Sequence, residues 1–198
     1  MRRGIVALVG TGMLFTTATA TAWGASGSSA PDIAEDARSA AFERVVIRDV
    51  AGAQVGVVRL VQDVGYVRVR ATPSQFTPGF HGFHVHDIGI CDPNATGGPF
   101  VSAGGHYVGG GTTHGDHAGD MPSLLIKESG DGRLGFRTDS FTLDELRAGN
   151  GSVVMVHAGR DNFANIPERY SAGGVAGPDA TTLATGDAGS RIGCGVID

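Results

Sequence analysis

Three observations predict an all-β domain, a sandwich or barrel of about eight short antiparallel strands. Short valine-rich runs recur along most of the chain. Turn residues separate them, and 33 of the 198 residues are glycine. Only one brief segment carries a helix start signal.

The first forty residues stand apart from that pattern. Arg2 and Arg3 precede an apolar stretch from Gly4 to Phe15, and small residues follow to Ala20-Thr21-Ala22 or Ala25. That order predicts a secretory signal peptide over residues 1–25. The apolar stretch is too short for a membrane span, so an exported product with no integral membrane anchor is expected. Residues 26–40 are small and polar and read as a flexible leader, which leaves residues 41–198 as one domain of ample length for a core.

Within that domain the expected strands run Phe42 to Arg48, Val55 to Gln62 and Tyr66 to Ala71, then Gly82 to His86 and Ser123 to Lys127. Leu134 to Thr138, Ser152 to His157 and Arg191 to Val196 complete the set. Tyr66-Val67-Arg68-Val69-Arg70 alternates apolar and polar residues, as a strand with one wet face does. Gly130-Asp131-Gly132 reads as a hairpin turn between two strands. Thr142 and Glu145 have capping-box spacing, which predicts a short helix over 142–146. Residues 87–122 and 158–190 are glycine-rich and lack strand patterning, and long loops in a compact domain are usually functional.

The net charge is −5, and loss of residues 1–25 removes two arginines and no acid, taking it to −7. That balance argues against a general affinity for nucleic acid. An anionic substrate must then be attracted by a local cation.

All seven histidines lie between 81 and 157. His84-Val85-His86 sits in a predicted strand, so both imidazoles point to one face while Val85 points to the other. His114, His117 and Asp120 follow at three-residue intervals, giving two nitrogens and a carboxylate suited to zinc, with His106 the nearest fourth ligand. His81 has the opposite strand parity to His84 and is read as structural. Cys91 and Cys194 are the two cysteines. In an exported chain they most simply pair, closing a loop of ~100 residues and contributing up to about 4.7 kcal/mol in the chain-entropy view. A reactive thiol is the alternative, which an oxidising compartment disfavours.

Four stretches in order resemble the copper/zinc superoxide dismutase family: GFHVHDIGIC, SAGGHYV with HGDHAGD, VVMVHAGRDN and GDAGSRIGCGVI. The likeness covers nearly all of residues 42–198. It implies an Ig-like Greek-key β-sandwich or flattened barrel, and copper and zinc as cofactors. It makes His84, His86, His106 and His157 copper ligands, and His106, His114, His117 and Asp120 the zinc set. Asp161 matches a carboxylate bonded to one histidine from each metal site, and Arg191 matches the arginine that guides superoxide. Cys194 matches a disulfide cysteine. The activity implied is disproportionation of superoxide to dioxygen and hydrogen peroxide, with copper cycling between Cu(II) and Cu(I) and His106 bridging the metals. One departure from the family pattern is that only Gly115 and Asp116 separate His114 from His117. Two rival readings are a non-catalytic copper-binding module and a copper-only dismutase. The oligomeric state, monomer or homodimer, is left open.

Overall fold

Alternation of valine with polar residues becomes strand wherever it was expected. The computed structural model describes residues 41–198, so the signal peptide and leader read at 1–40 lie outside the described residues. The first strands are β1 (Phe42–Arg48), β2 (Gln54–Asp63), β3 (Tyr66–Pro73), β4 (Gly79–His81) and β5 (Phe83–His86). Then come β6 (Leu124–Ile126), β7 (Leu134–Thr138), α1 (Leu143–Arg147), β8 (Ser152–His157), β9 (Ser171–Ala172), β10 (Val175–Ala176), α2 (Ala180–Thr185) and β11 (Arg191–Ile197). α1 begins with the expected capping box, Thr142 and Glu145 each satisfying the other's backbone N–H.

The main sheet is antiparallel throughout, in the order β5-β8-β11-β1-β2-β3-β7, and β4 pairs with β6 apart from it. One continuous core takes Val45, Val58, Val69, Val85, Leu124 and Val154 from six different strands, as a sheet curled on itself requires. Removing such side chains from water is the main favourable term in the fold. Among the described residues, no helix is long and apolar enough to cross a membrane.

Two sequence expectations need correction. Residues 127–131 do turn tightly, with Lys127 N–H donating to Asp131 O and Gly130 N–H to Lys127 O. The flanking strands nevertheless part company: β6 joins β4, β7 joins β3, and only an isolated bridge links Ile126 to Gly132. A turn signal fixes local reversal, whereas tertiary packing decides which strands pair. The 158–190 interval is also not structureless. It holds the small β9–β10 ribbon and α2, whose Asp179 cap accepts from Thr182 N–H.

β8 is buried along its whole length and has apolar neighbours on both faces. Val154 and Val156 face the main core, while Val153 and Met155 pack with Phe100, Ala103 and Cys194 in a second cluster. The second cluster exists because the 87–122 loop folds back over β5, β8 and β11. Cys91 is disulfide-bonded to Cys194 with Cα atoms 5.7 Å apart, fastening that loop to β11. This bears out the simpler reading of the two cysteines.

Candidate metal centre

Strand parity puts three histidines on one face. His84 pairs with Met155 and His86 with Val153 across β5 and β8. His157 lies two residues beyond Met155, so all three imidazoles share the face covered by the loop. β11 needs a device to add Arg191 to that face. Arg191 pairs with His157 and Cys194 with Met155, although Cys194 lies three positions after Arg191, an odd offset. A bulge between Arg191 and Gly193 supplies the missing step and brings both side chains to the same side.

The free edge of β5 collects the loop residues. Val85 N–H donates to Gly119 O and Tyr107 N–H donates to Val85 O, each at 2.9 Å. The two arms of the loop therefore lie along that edge, setting His106 beside His86 and Asp120 beside His84. An edge that would otherwise invite pairing with another chain is covered by the same contacts.

Two groups of side chains result, each with ligand atoms within 4.8 Å of one another: His84, His86, His106 and His157, and His84, His106, His114 and Asp120. His86 Nε2 and His157 Nε2 stand 3.3 Å apart. His106 Nδ1 and His114 Nδ1 stand 3.1 Å apart, and each lies near Asp120 Oδ1, at 2.9 and 3.1 Å. His117 is brought alongside but outside the tight second group, its Nδ1 3.5 Å from Asp120 Oδ2. Asp161 spans the two groups, with Oδ2 2.7 Å from His84 Nε2 and Oδ1 2.7 Å from His114 Nε2. A histidine held this way at one nitrogen presents the other in a fixed orientation.

Whether these residues fit metal ions can be tested on the nitrogens left over. His84 Nδ1 and His117 Nδ1 are buried and have no hydrogen-bond partner. A buried polar atom without a partner is costly and marks a place for an ion or water. Two nitrogens on one tetrahedral ion, each ~2.0–2.1 Å from it, lie ~3.3 Å apart, close to the spacings above. The first group offers nitrogen alone, and the second adds a carboxylate. Those donor sets suit copper and zinc respectively.

Electrostatics divide the two groups. Burial drives His86 well below the usual imidazole range, and the nearby Arg191 guanidinium pushes the same way. Burial, followed by His84, takes His157 down to about 3. His84 is also lowered by burial, against the pull of Asp161. At His114 burial opposes the charge as well, but hydrogen bonds to Asp120 and Asp161 overcome it and raise the group to about 9. Burial likewise works against the Asp120 and Asp161 carboxylates, yet their histidine partners hold both well below the ordinary carboxylate range.

Arg191 reaches back over the loop, its Nη1 donating to Phe100 O and its Nη2 to Gly104 O, both at 2.6 Å. His86 Nδ1 is 3.1 Å from the same Gly104 oxygen, so one carbonyl ties the arginine to a histidine of the first group.

The family model for copper/zinc superoxide dismutase (SODC) matches residues 54–197. The chain belongs to this family. Over 157 residues it is 46% identical to the copper–zinc superoxide dismutase of Mycobacterium tuberculosis, which covers 74% of this chain and 65% of that protein. The chain thus spans somewhat under two thirds of that relative's length. It is 33% identical to the copper–zinc superoxide dismutase of Brucella abortus over 156 residues, 74% of this chain and 80% of the relative. The solved Brucella abortus structure matches with a TM-score of 0.61 at 28% identity, covering 80% of this chain and all of that one. A superoxide-dismutase-like protein from Bacillus subtilis matches with a TM-score of 0.62 at 24% identity over 80% of this chain and 100% of that one, a likeness of fold alone. These matches agree with the curled antiparallel sheet and with copper and zinc as the family's metals.

Two supports of the metal centre, Leu183 O and Gly186, have no signal in the sequence, and a third, His81, is structural as its strand parity suggests. His81 is buried with its ring nitrogens 2.7 Å from His157 O and 2.9 Å from Thr77 O, so it props the strand end that carries His157. Its odd spacing from His84 signalled only that it faces elsewhere. Leu183 O on α2 accepts from His114 N–H at 2.7 Å. Gly186, which ends α2 at φ 59°, lies so close to Asp161 Oδ1 and the His114 ring that any side chain there would collide with them. A lone glycine after a short, weakly apolar segment carries no such message in sequence.

Proposed function

We propose that this chain dismutes superoxide, two superoxide anions and two protons giving dioxygen and hydrogen peroxide. The observation that carries the reading is His106, the one loop histidine that belongs to both groups, beside buried ring nitrogens that have no other partner. His84, His86, His106 and His157 would hold copper, and His106, His114, His117 and Asp120 would hold zinc. When bound, copper supplies a centre that accepts an electron from one superoxide and returns it to another, and zinc a fixed cation.

The chain's own residues do the rest. Asp161 orients His84 and His114 from behind. His106 presents a ring between the two groups, where it can hold a proton on one side and surrender it. Arg191 keeps a cation beside the first group in an acidic protein, which draws a small anion inward. Residues 1–25 are proposed as a removed signal peptide, 26–40 as a leader and 41–198 as the working domain of an exported protein. The Cys91–Cys194 disulfide suits an oxidising compartment.

The test is elemental analysis of purified protein together with superoxide decay followed by pulse radiolysis. One copper and one zinc per chain are expected, with a rate that falls as salt rises, since screening sets in over ~10 Å at 0.1 M. Arg191→Glu should slow decay strongly at unchanged metal content. Fully active protein with copper alone would overturn the two-metal reading, and a harmless charge reversal would remove Arg191 from the role.

A further inference from the structure

The wet face of β1, β2, β3 and β7 carries an unusual ladder of charge. Arg44 on β1 is directly opposite Arg59 on β2, and Arg59 is directly opposite Arg70 on β3. Arg68 on β3 is likewise opposite Arg137 on β7. Arg133 joins Arg59, Arg70, Thr72 and Gly135 around one shallow groove. Six of the twelve lysine and arginine residues between 41 and 198 thus gather on one face of a chain whose net charge is −5. Net charge averages over this face and hides it.

Like charges directly opposite on neighbouring strands destabilise a sheet. Little offsets them here. Among the described residues only Arg68 of the six has a carboxylate within reach, Asp63 at 2.6 Å, and the nearby Glu43 is engaged by Arg147 instead. Solubility needs charge, but alternating signs would provide it without repulsion. Gly135 sharpens the point. It faces Arg70 in register, and a Cβ there would meet nothing closer than Val69 O at 3.9 Å. Packing does not demand glycine at that position, yet glycine weakens a strand interior. Its effect is to leave the groove floor open beneath Arg70.

We infer that the outer face of β1, β2, β3 and β7 docks an extended polymer bearing phosphate groups. Neighbouring strands lie ~4.7–4.9 Å apart, so the arginines form a row of forks at short, even intervals. The planar guanidinium takes two phosphate oxygens at once, which a lysine row would not do. Single-stranded nucleic acid is a poorer fit, because its binding faces use exposed aromatic rings for stacking. Arg137 already lies over Tyr66 at 4.9 Å from its ring centre, which leaves Phe42 at the start of β1 as one exposed ring where stacking of successive bases needs a series. β7 and β5 are opposite edges of the sheet, and the groove around Arg59, Arg70 and Arg133 lies toward the β7 edge, away in strand order from the histidines of β5 and β8.

The probe is inorganic polyphosphate, titrated by anisotropy against the metal-loaded protein at several salt concentrations. Saturable binding is expected, weakening steeply with salt. Arg59→Gln with Arg70→Gln should weaken it at least about tenfold and flatten the log–log salt slope by about 1.4, at ~0.7 per lost phosphate contact. Superoxide decay should be unchanged and thermal stability equal or higher, since repulsion has been relieved. Arg44→Gln with Arg133→Gln repeats the test should the central pair disturb the sheet. No binding, or binding indifferent to both variants, overturns the inference. So does tighter binding to single-stranded DNA of equal charge or to anionic phospholipid vesicles than to polyphosphate.

Discussion

His84, His86 and His157 stand on paired strands, whereas His114, His117 and Asp120 hang on a glycine-rich loop. The strand trio inherits its common face from side-chain parity and its spacing from the β5–β8 ladder. The loop trio has no ladder of its own. It is held by the carboxylates of Asp120 and Asp161, by Leu183 O on α2 and by the free edge of β5. Protonation follows the same division: burial keeps His157 neutral, while two acids put a proton on His114. The strand group is therefore ready to receive a metal, and the loop group must first give up a proton. Sheet hydrogen bonding builds the one, and polar bonds that metal can replace build the other.

The largest test of that contrast removes a member of each trio. His157→Ala should abolish copper binding and lower dismutase activity by more than ~100-fold, exceeding the ~10–100-fold typical of an outer partner. Its circular dichroism should remain that of the folded sheet. His117→Ala should instead lose zinc first and raise hydrogen exchange across residues 107–122. Equal exchange in both variants would erase the distinction.

Acidity should separate the groups next. His114 is raised from 6.5 to about 9, so a metal entering beside it displaces a proton. Zinc uptake by metal-free protein should then tighten about tenfold per pH unit up to about pH 9. His157, at about 3, contributes no such slope to copper uptake above pH 5. The stability of the metal-free protein runs the other way. The His114 contribution is complete below 6.5 and disappears as pH rises through about 9. The Asp120 and Asp161 contributions are complete above 3.8 and are lost as pH falls below it. Competition with a zinc-sensitive dye at pH 7 and 8 checks the first statement, and a flat profile would refute it.

Asp161→Asn probes the link between the groups. An amide can accept from one histidine but cannot serve both rings as acceptor, so metal affinity should fall ~10–100-fold at both sites. A loss confined to one site would show that the groups are independent. The smallest expected effect belongs to His81→Phe. The ring N–H that lies between the His157 and Thr77 carbonyls is lost, costing about 1–3 kcal/mol in urea unfolding. Copper retention should weaken modestly, because His157 O is one of them.

Much of this was legible in sequence, for physical reasons that differ by element. Strands such as Tyr66–Pro73 announce themselves because a half-wet sheet imposes alternation. The histidine pair in β5 is readable because parity is local. The partners of β6 and β7 are not legible because Gly130 specifies a reversal but not a partner. α2 is not legible because Ala180–Thr185 is short and buries Thr182 rather than an apolar stripe. The roles of His81 and Gly186 rest on contacts made across long stretches of chain, which no spacing rule encodes. The arginine row was invisible because register, not composition, lines it up.

The bulge in β11 has a further consequence. Were this strand to pair with β8 one residue out of register, every side chain would change faces. Cys194 would then turn toward the main core, out of reach of Cys91, and Arg191 would leave the side of His157. A chain that closes its disulfide has therefore already aligned β11 around Cys194, and the bulge then carries Arg191 to the same side. The covalent bond acts as a proofreading mark: misaligned molecules keep two free thiols, and a thiol-reactive dye would count them.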